Sequence, residues 1–223
     1  MNIKLRKFIL ELQFNSPFRR YSFPRFLYNF SAPQLCFLCQ CLEETRSIDG
    51  SIAEIGCGNG STTVFLNKYM DARNIQKNYY AVDTFSGFVP DDIEYEIAHR
   101  AKSKADLLSA FTMNKKRWFD RTMRQNDIGR VHSIEADVNR YDLTTLGPLS
   151  FALLDVDLYR PTTKGLKELY KILLPGGMIA VDDCDPANAL WDGADQAYKE
   201  FMIVINQSPQ VVHGKLGILR KTT

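Results

Sequence analysis

The stretch Ala53-Glu54-Ile55-Gly56-Cys57-Gly58-Asn59-Gly60-Ser61 decides how this chain is read. It closes the apolar run 51–55 and opens a helical pattern over 62–70. A strand that turns straight into a helix presents bare backbone N–H groups, and the positive end of the helix, to a bound nucleotide-like cofactor. Gly56, Gly58 and Gly60 give a G-x-G-x-G spacing. Glu54 stands just before them, where a dinucleotide-binding motif usually has an apolar residue. That carboxylate favours a cationic cofactor over a pyrophosphate. The next apolar run, 79–82, ends in Asp83, twenty-three residues beyond Gly60. An acid at the tip of the second strand of a β-α-β unit can accept hydrogen bonds from both hydroxyls of a ribose.

Together these pieces resemble the class I S-adenosylmethionine-dependent methyltransferase fold. That fold is α/β and Rossmann-like, with a seven-stranded, mostly parallel sheet and a C-terminal antiparallel hairpin. The resemblance makes Glu54, Gly56, Gly58 and Gly60 the first cofactor motif and Asp83 the ribose ligand. It also puts Asp137 where the fold commonly contacts the adenine amino group, and Ser61 near the carboxylate of the methionine moiety. Both residues equally suit turn and helix-cap roles, and for Ser61 the cap is the preferred reading.

The pattern beyond residue 50 agrees. β-rich runs at 51–56, 79–83, 131–136, 149–155 and 177–182 alternate with helical patterns at 62–70, about 96–127 and 162–173. Such alternation predicts a parallel sheet covered on both faces. A helix over about 193–206 leads to two short strands, 210–213 and 216–220, around Gly214. The chain divides into an N-terminal basic and aromatic arm with a helix, 1–48, and a methyltransferase domain, 49–223. An insertion at about 85–127 is too long for a simple crossover and starts loop-like at 86–92. It is either a cover over the site or a plain surface insertion.

With 223 residues, 45% hydrophobic and 24% charged, the chain suits one globular domain with an appendage. A net charge of +2 gives no global field that argues for nucleic acid as a partner. The basic excess is local: Lys4, Arg6, Lys7, Arg19, Arg20 and Arg25 face only Glu11. The run Phe8-Ile9-Leu10 is far shorter than a secretory core, and no stretch approaches the roughly 20 apolar residues of a membrane span, so a cytoplasmic protein is expected. The cysteines, with Cys36, Cys39 and Cys41 in one helical segment, read as free thiols. Tyr21, Phe23, Phe26, Tyr28 and Phe30 suggest docking of the arm on the domain or on a second subunit, which leaves a homo-oligomer open.

Strand four ends Leu153-Leu154-Asp155-Val156-Asp157, and strand five ends Ala180-Val181-Asp182-Asp183, with Asp185 close behind. In an open parallel sheet these tips face the cofactor crevice. Carboxylates gathered there repel one another unless a cation neutralises them, and hard oxygen donors suit Mg²⁺. The run Leu154 to Tyr159, then Pro161-Thr162-Thr163, Leu169-Tyr170, Pro175-Gly176-Gly177 and Val181-Asp182-Asp183, is similar to the macrocin O-methyltransferase family. So is Val82-Asp83-Thr84-Phe85-Ser86-Gly87-Phe88. The resemblance implies methylation of sugar hydroxyls with a divalent metal held by Asp155, Asp182 and Asp183, of which Asp155 also counts as catalytic. It makes Asp157 structural or substrate-facing and His99 the general base beside the acceptor. His132 and His213 read as packing or edge residues.

Trp191 and Tyr159 are expected at the mouth, where they can stack on a sugar ring or pack in the core. The leading expectation is an S-adenosylmethionine- and Mg²⁺-dependent O-methyltransferase whose partner is a small-molecule hydroxyl acceptor, a sugar or glycoside. A phenol acceptor stays open, although Asp183 stands where such enzymes usually carry an amide. A nucleic-acid-binding or noncatalytic cofactor-binding module is the third reading.

Overall fold

The structure, a computed structural model, describes residues 3–17, 26–185 and 187–222. One sheet holds β1 (Ser51–Ile55), β2 (Tyr79–Asp83), β3 (Val131–Glu135), β4 (Leu149–Leu154), β5 (Leu173–Val181), β6 (Gln210–Val212) and β7 (Leu216–Arg220). The strand order is β3-β2-β1-β4-β5-β7-β6. The first five strands pair in parallel, and β7 runs antiparallel to both β5 and β6. From β1 the chain steps outward through β2 and β3, then returns to the other side of β1 with β4. The crossovers therefore diverge above the tips of β1 and β4, which is where open α/β sheets bind ligands.

Around the sheet lie α1 (Ile3–Phe14), α2 (Ala32–Glu44), α3 (Ser61–Arg73), α4 (Pro90–Arg100), α5 (Lys104–Ser109), α6 (Lys116–Gln125), α7 (Tyr159–Ile172) and α8 (Asp192–Val204). Every residue of β4 is buried. Its Ala152 and Leu154 face Leu166 and Leu169 of α7 and Phe201 of α8, while Phe151 and Leu153 face Leu38 and Leu42 of α2 and Leu66 and Met70 of α3. A strand covered on both sides reads as a continuous apolar run, and this one does.

α2 shares the core of the sheet and has none of its own. Just before it, Tyr28 meets Phe65 edge to face at 5.5 Å between ring centres, and Phe30 is buried. None of the residues of α1 is buried. Arg19, Arg20, Tyr21, Phe23 and Arg25 lie outside the described residues. Among those described, no helix is long and apolar enough to cross a membrane.

Several boundaries differ from expectation. The insertion is three helices, and Pro90 to Asp92, expected as loop, form the first turn of α4. Proline suits that position because its missing N–H has no helical acceptor there. α7 starts at Tyr159, before the expected Thr162. Leu174 to Gly177 do not end a helix in open loop but belong to β5, where the Gly176 N–H donates to the Lys221 carbonyl at 2.8 Å and the Lys221 N–H to that of Gly177 at 3.0 Å.

Gly56 lets the tips of β1 and β4 approach. Its φ is +89°, and a Cβ there would lie 1.7 Å from the Asp155 carbonyl oxygen; at Gly58, φ +52°, a Cβ would meet open space. Gly56→Ala is expected to cost ~3 kcal/mol or more in urea denaturation. Gly58→Ala should cost only ~1 kcal/mol, for the left-handed backbone.

Candidate active site

A cavity of about 560 Å³ opens above the tips of β1 to β5. Glu54, Gly56, Gly58, Ser61, Asp83, Asp137, Asp155, Asp182 and Asp183 all line it, so most of the residues singled out in the sequence converge. Gly60 and His99 are not among the lining residues. A Cβ on Gly60 would lie 2.9 Å from the Phe119 ring, so this glycine gives α6 room against the turn. His99 is exposed near the end of α4, its ring 4.5 Å from that of Tyr95. The geometry does not bring it to the cavity.

At the cofactor end, Asp83 ties two turns together. Its Oδ2 accepts from the Gly58 N–H at 2.8 Å and its Oδ1 from the Phe85 N–H at 2.6 Å. Glu54 is 1% exposed, and its Oε2 accepts from the hydroxyls of Thr63, 2.6 Å, and Tyr79, 2.7 Å. Burial outweighs these bonds and pushes its pKa up to about 7. Gly60, not Ser61, occupies the cap position of α3; the Ser61 hydroxyl donates to Asn59 Oδ1 at 2.8 Å. Asp137 Oδ1 accepts from the Asn139 N–H at 2.8 Å.

Across the cavity the acids crowd together. Asp155, Asp157 and Asp183 bring carboxylate oxygens within 4.8 Å of one another. Asp182 instead turns Oδ2 to the ammonium of Lys215 at 2.6 Å, while its buried Oδ1 receives no hydrogen bond. Burial, then repulsion from Asp182, holds Asp155 well above the ordinary carboxylate range; burial and Asp183 do the same for Asp157. Asp182 is raised to about 6, since burial outweighs the pull of Lys215. Burial opposes charge on Lys215, but Asp182, together with Asp155 and Asp183, holds its pKa above the usual value.

Asp157 and Asp183 have left-handed backbones, φ 59° and 55°, a strain that aspartate tolerates better than most residues and that gathers at functional sites. All-oxygen donors, mutual repulsion and an orphaned buried oxygen fit a hard divalent cation.

An aromatic group stands over the mouth. Phe88 and Phe111 of the insertion meet edge to face at 5.4 Å, and each lies within 6 Å of Trp191, at 5.6 and 5.9 Å. All three line the cavity, as do Leu27 and Asn29 of the arm. Tyr159 does not. It stacks on Tyr95 at 5.9 Å with its hydroxyl donating to Glu200.

The model of the family described as Macrocin-O-methyltransferase matches residues 31–206. The chain belongs to the macrocin O-methyltransferase family. It is thus a methyltransferase, and its fold agrees with solved members of that class. NovP, an O-methyltransferase, superposes with a TM-score of 0.68 at 16% identity, over 85% of this chain and 79% of that one. CalS11, a calicheamicin methyltransferase, gives 0.69 at 18%, over 96% and 90%. The apo structure of CalS11, described as a TDP-rhamnose 3'-O-methyltransferase, gives 0.60 at 18%, over 96% and 92%. At these identities the likeness is one of fold. The comparison with curated proteins gives no match.

Sequence reading missed two charged residues of this methyltransferase's cavity, Lys215 and Asp92. The antiparallel register pairs Val181 with Gly217. Continued two residues toward the turn, it sets Lys215 opposite Asp183, a signal available once the hairpin is placed beside strand five. Asp92 left no such trace, because its turn reads as loop.

The raised pKa of Glu54 has a defined sign. Between pH about 4.5 and about 7 the folded protein holds a proton on Glu54 that the unfolded chain has lost, so stability falls as pH rises through this window. Glu54→Gln is expected to flatten that fall and to gain up to ~3 kcal/mol over wild type at pH 8, read by urea melts at several pH values.

Proposed function

We propose that the protein is an S-adenosylmethionine- and Mg²⁺-dependent O-methyltransferase acting on a hydroxyl of a sugar or glycosylated small molecule. One observation carries this reading: the acid cluster of β4 and β5 opens into the same cavity as Asp83 and the glycine turn. In this reading Asp83 would take the ribose hydroxyls, and the N-terminus of α3 the methionine carboxylate. The sulfonium would then lie toward the acids, whose charge favours a cation. The likeness to CalS11, described as a TDP-rhamnose 3'-O-methyltransferase, supports a sugar acceptor, and small-molecule chemistry goes with a cytoplasmic location.

Asp155 and Asp183, with Asp157 or the free oxygen of Asp182, would hold the Mg²⁺. When bound, it would lower the pKa of the acceptor hydroxyl and fix its position. The chain's own residues do the rest. A carboxylate of the cluster that the ion does not engage would take up the hydroxyl proton as the oxygen attacks the methyl group and S-adenosylhomocysteine leaves. Phe88, Phe111 and Trp191 cover the apolar face of the acceptor and exclude water.

Screening nucleotide sugars and glycosides for turnover tests the activity itself. A chelator should abolish that turnover and Mg²⁺ restore it; chelator-resistant turnover would remove the metal from the reading. Asp155→Asn is expected to lower kcat by ~100-fold or more with little change in S-adenosylhomocysteine affinity by calorimetry. His99→Ala should leave kcat within about twofold of wild type, and a loss of ~100-fold would bring that residue back into the chemistry.

A further inference from the structure

Among the described residues, Lys215 is the cation that reaches the acid cluster. It stands in the turn between β6 and β7 and lines the cavity. Its carbonyl accepts from the Cys184 N–H at 2.8 Å, which fastens that turn beside the tip of β5. Its ammonium lies 4.6 Å from the centre of the Phe30 ring. Backbone and ammonium are thus both held, the latter by attraction to the ring face.

What it holds is one half of a carboxylate. The parallel register pairs Leu154 with Val181, so Asp182 comes level with Asp155, and the Asp182 N–H donates to the Leu154 carbonyl at 2.9 Å. Level residues on neighbouring strands turn their side chains to the same face. Of the neighbouring charges, that of Asp182 presses hardest on Asp155, as close carboxyl groups must. The Lys215 ammonium donates to Asp182 Oδ2 at 2.6 Å and stays 4.0 Å from Asp183 Oδ1. Asp182 is left with Oδ1, which receives no hydrogen bond. A carboxylate with one oxygen tied in this way can serve an ion through the other alone.

That restriction separates one divalent ion from another. Ca²⁺ takes a larger and more flexible shell and often engages both oxygens of a carboxylate, whereas Mg²⁺ demands a compact octahedron and keeps several waters. We infer that Lys215 is a positioning residue: by leaving Asp182 a single free oxygen, it makes the acid cluster favour Mg²⁺ over Ca²⁺. The inference rests on the metal reading above and extends it to the choice of ion.

Calorimetric titration with Mg²⁺ and with Ca²⁺ tests it, on wild type and on Lys215→Met and Lys215→Ala. Wild type should bind Mg²⁺ the more tightly. Each neutral variant frees both oxygens of Asp182 and should move the ratio of the two affinities toward Ca²⁺ by ~10-fold or more. Lys215→Arg, which keeps a charged donor, should hold the ratio within about threefold of wild type. A lysine acting through its charge alone would, on removal, change both affinities by the same factor, because the two ions carry equal charge. An unchanged ratio in the folded neutral variants, or a wild type that prefers Ca²⁺, overturns the inference and leaves the metal reading intact. Failure of wild type to bind either ion overturns both.

Discussion

Four carboxylates, Asp155, Asp157, Asp182 and Asp183, share the tips of β4 and β5 with the ammonium of Lys215, which reaches two of them. Repulsion among buried like charges is the constraint that the rest of the site answers. Fully ionised, the group would carry three uncompensated negative charges, and the proposed divalent ion with a sulfonium would supply three positive ones. Without such cations, burial and repulsion favour protons on the same oxygens. The cavity is thus matched to cations by its charge as well as by its outline.

The backbone holds the acids in that opposition. β4 and β5 are parallel neighbours buried deep in the sheet, so their last residues point into one crevice. Gly56 allows the neighbouring turn to come close to Asp155, and the left-handed backbones of Asp157 and Asp183 turn the chain sharply at those tips. Apolar packing on both faces of β4 supplies the stability that such local strain costs.

The sheet was legible because its strands are apolar runs closed by glycine or acid, and the turn from Ile55 to Ser61 fixed where the cofactor motif lies. Shorter signals misled. Pro90-Asp91-Asp92 has turn chemistry, yet proline is equally at home opening a helix. Leu174-Pro175-Gly176-Gly177 looks like a helix stop, but the C-terminal residues pair with it and make it strand. His99, inside the insertion, matched a family histidine in sequence, whereas α4 buries the stripe Asp92, Ile93 and Glu96 and turns His99 outward with Tyr95. Lys215 depends on contacts between distant parts of the chain, which no local window contains.

Phe30 has its ring centre 4.6 Å from the ammonium of Lys215, and Leu27 and Asn29 form part of the cavity wall. Among the described residues, the segment just ahead of α2 therefore meets the acid cluster through Lys215. A chimera that kept every strand and every aspartate but carried a foreign leader would have a reaction chamber of different polarity.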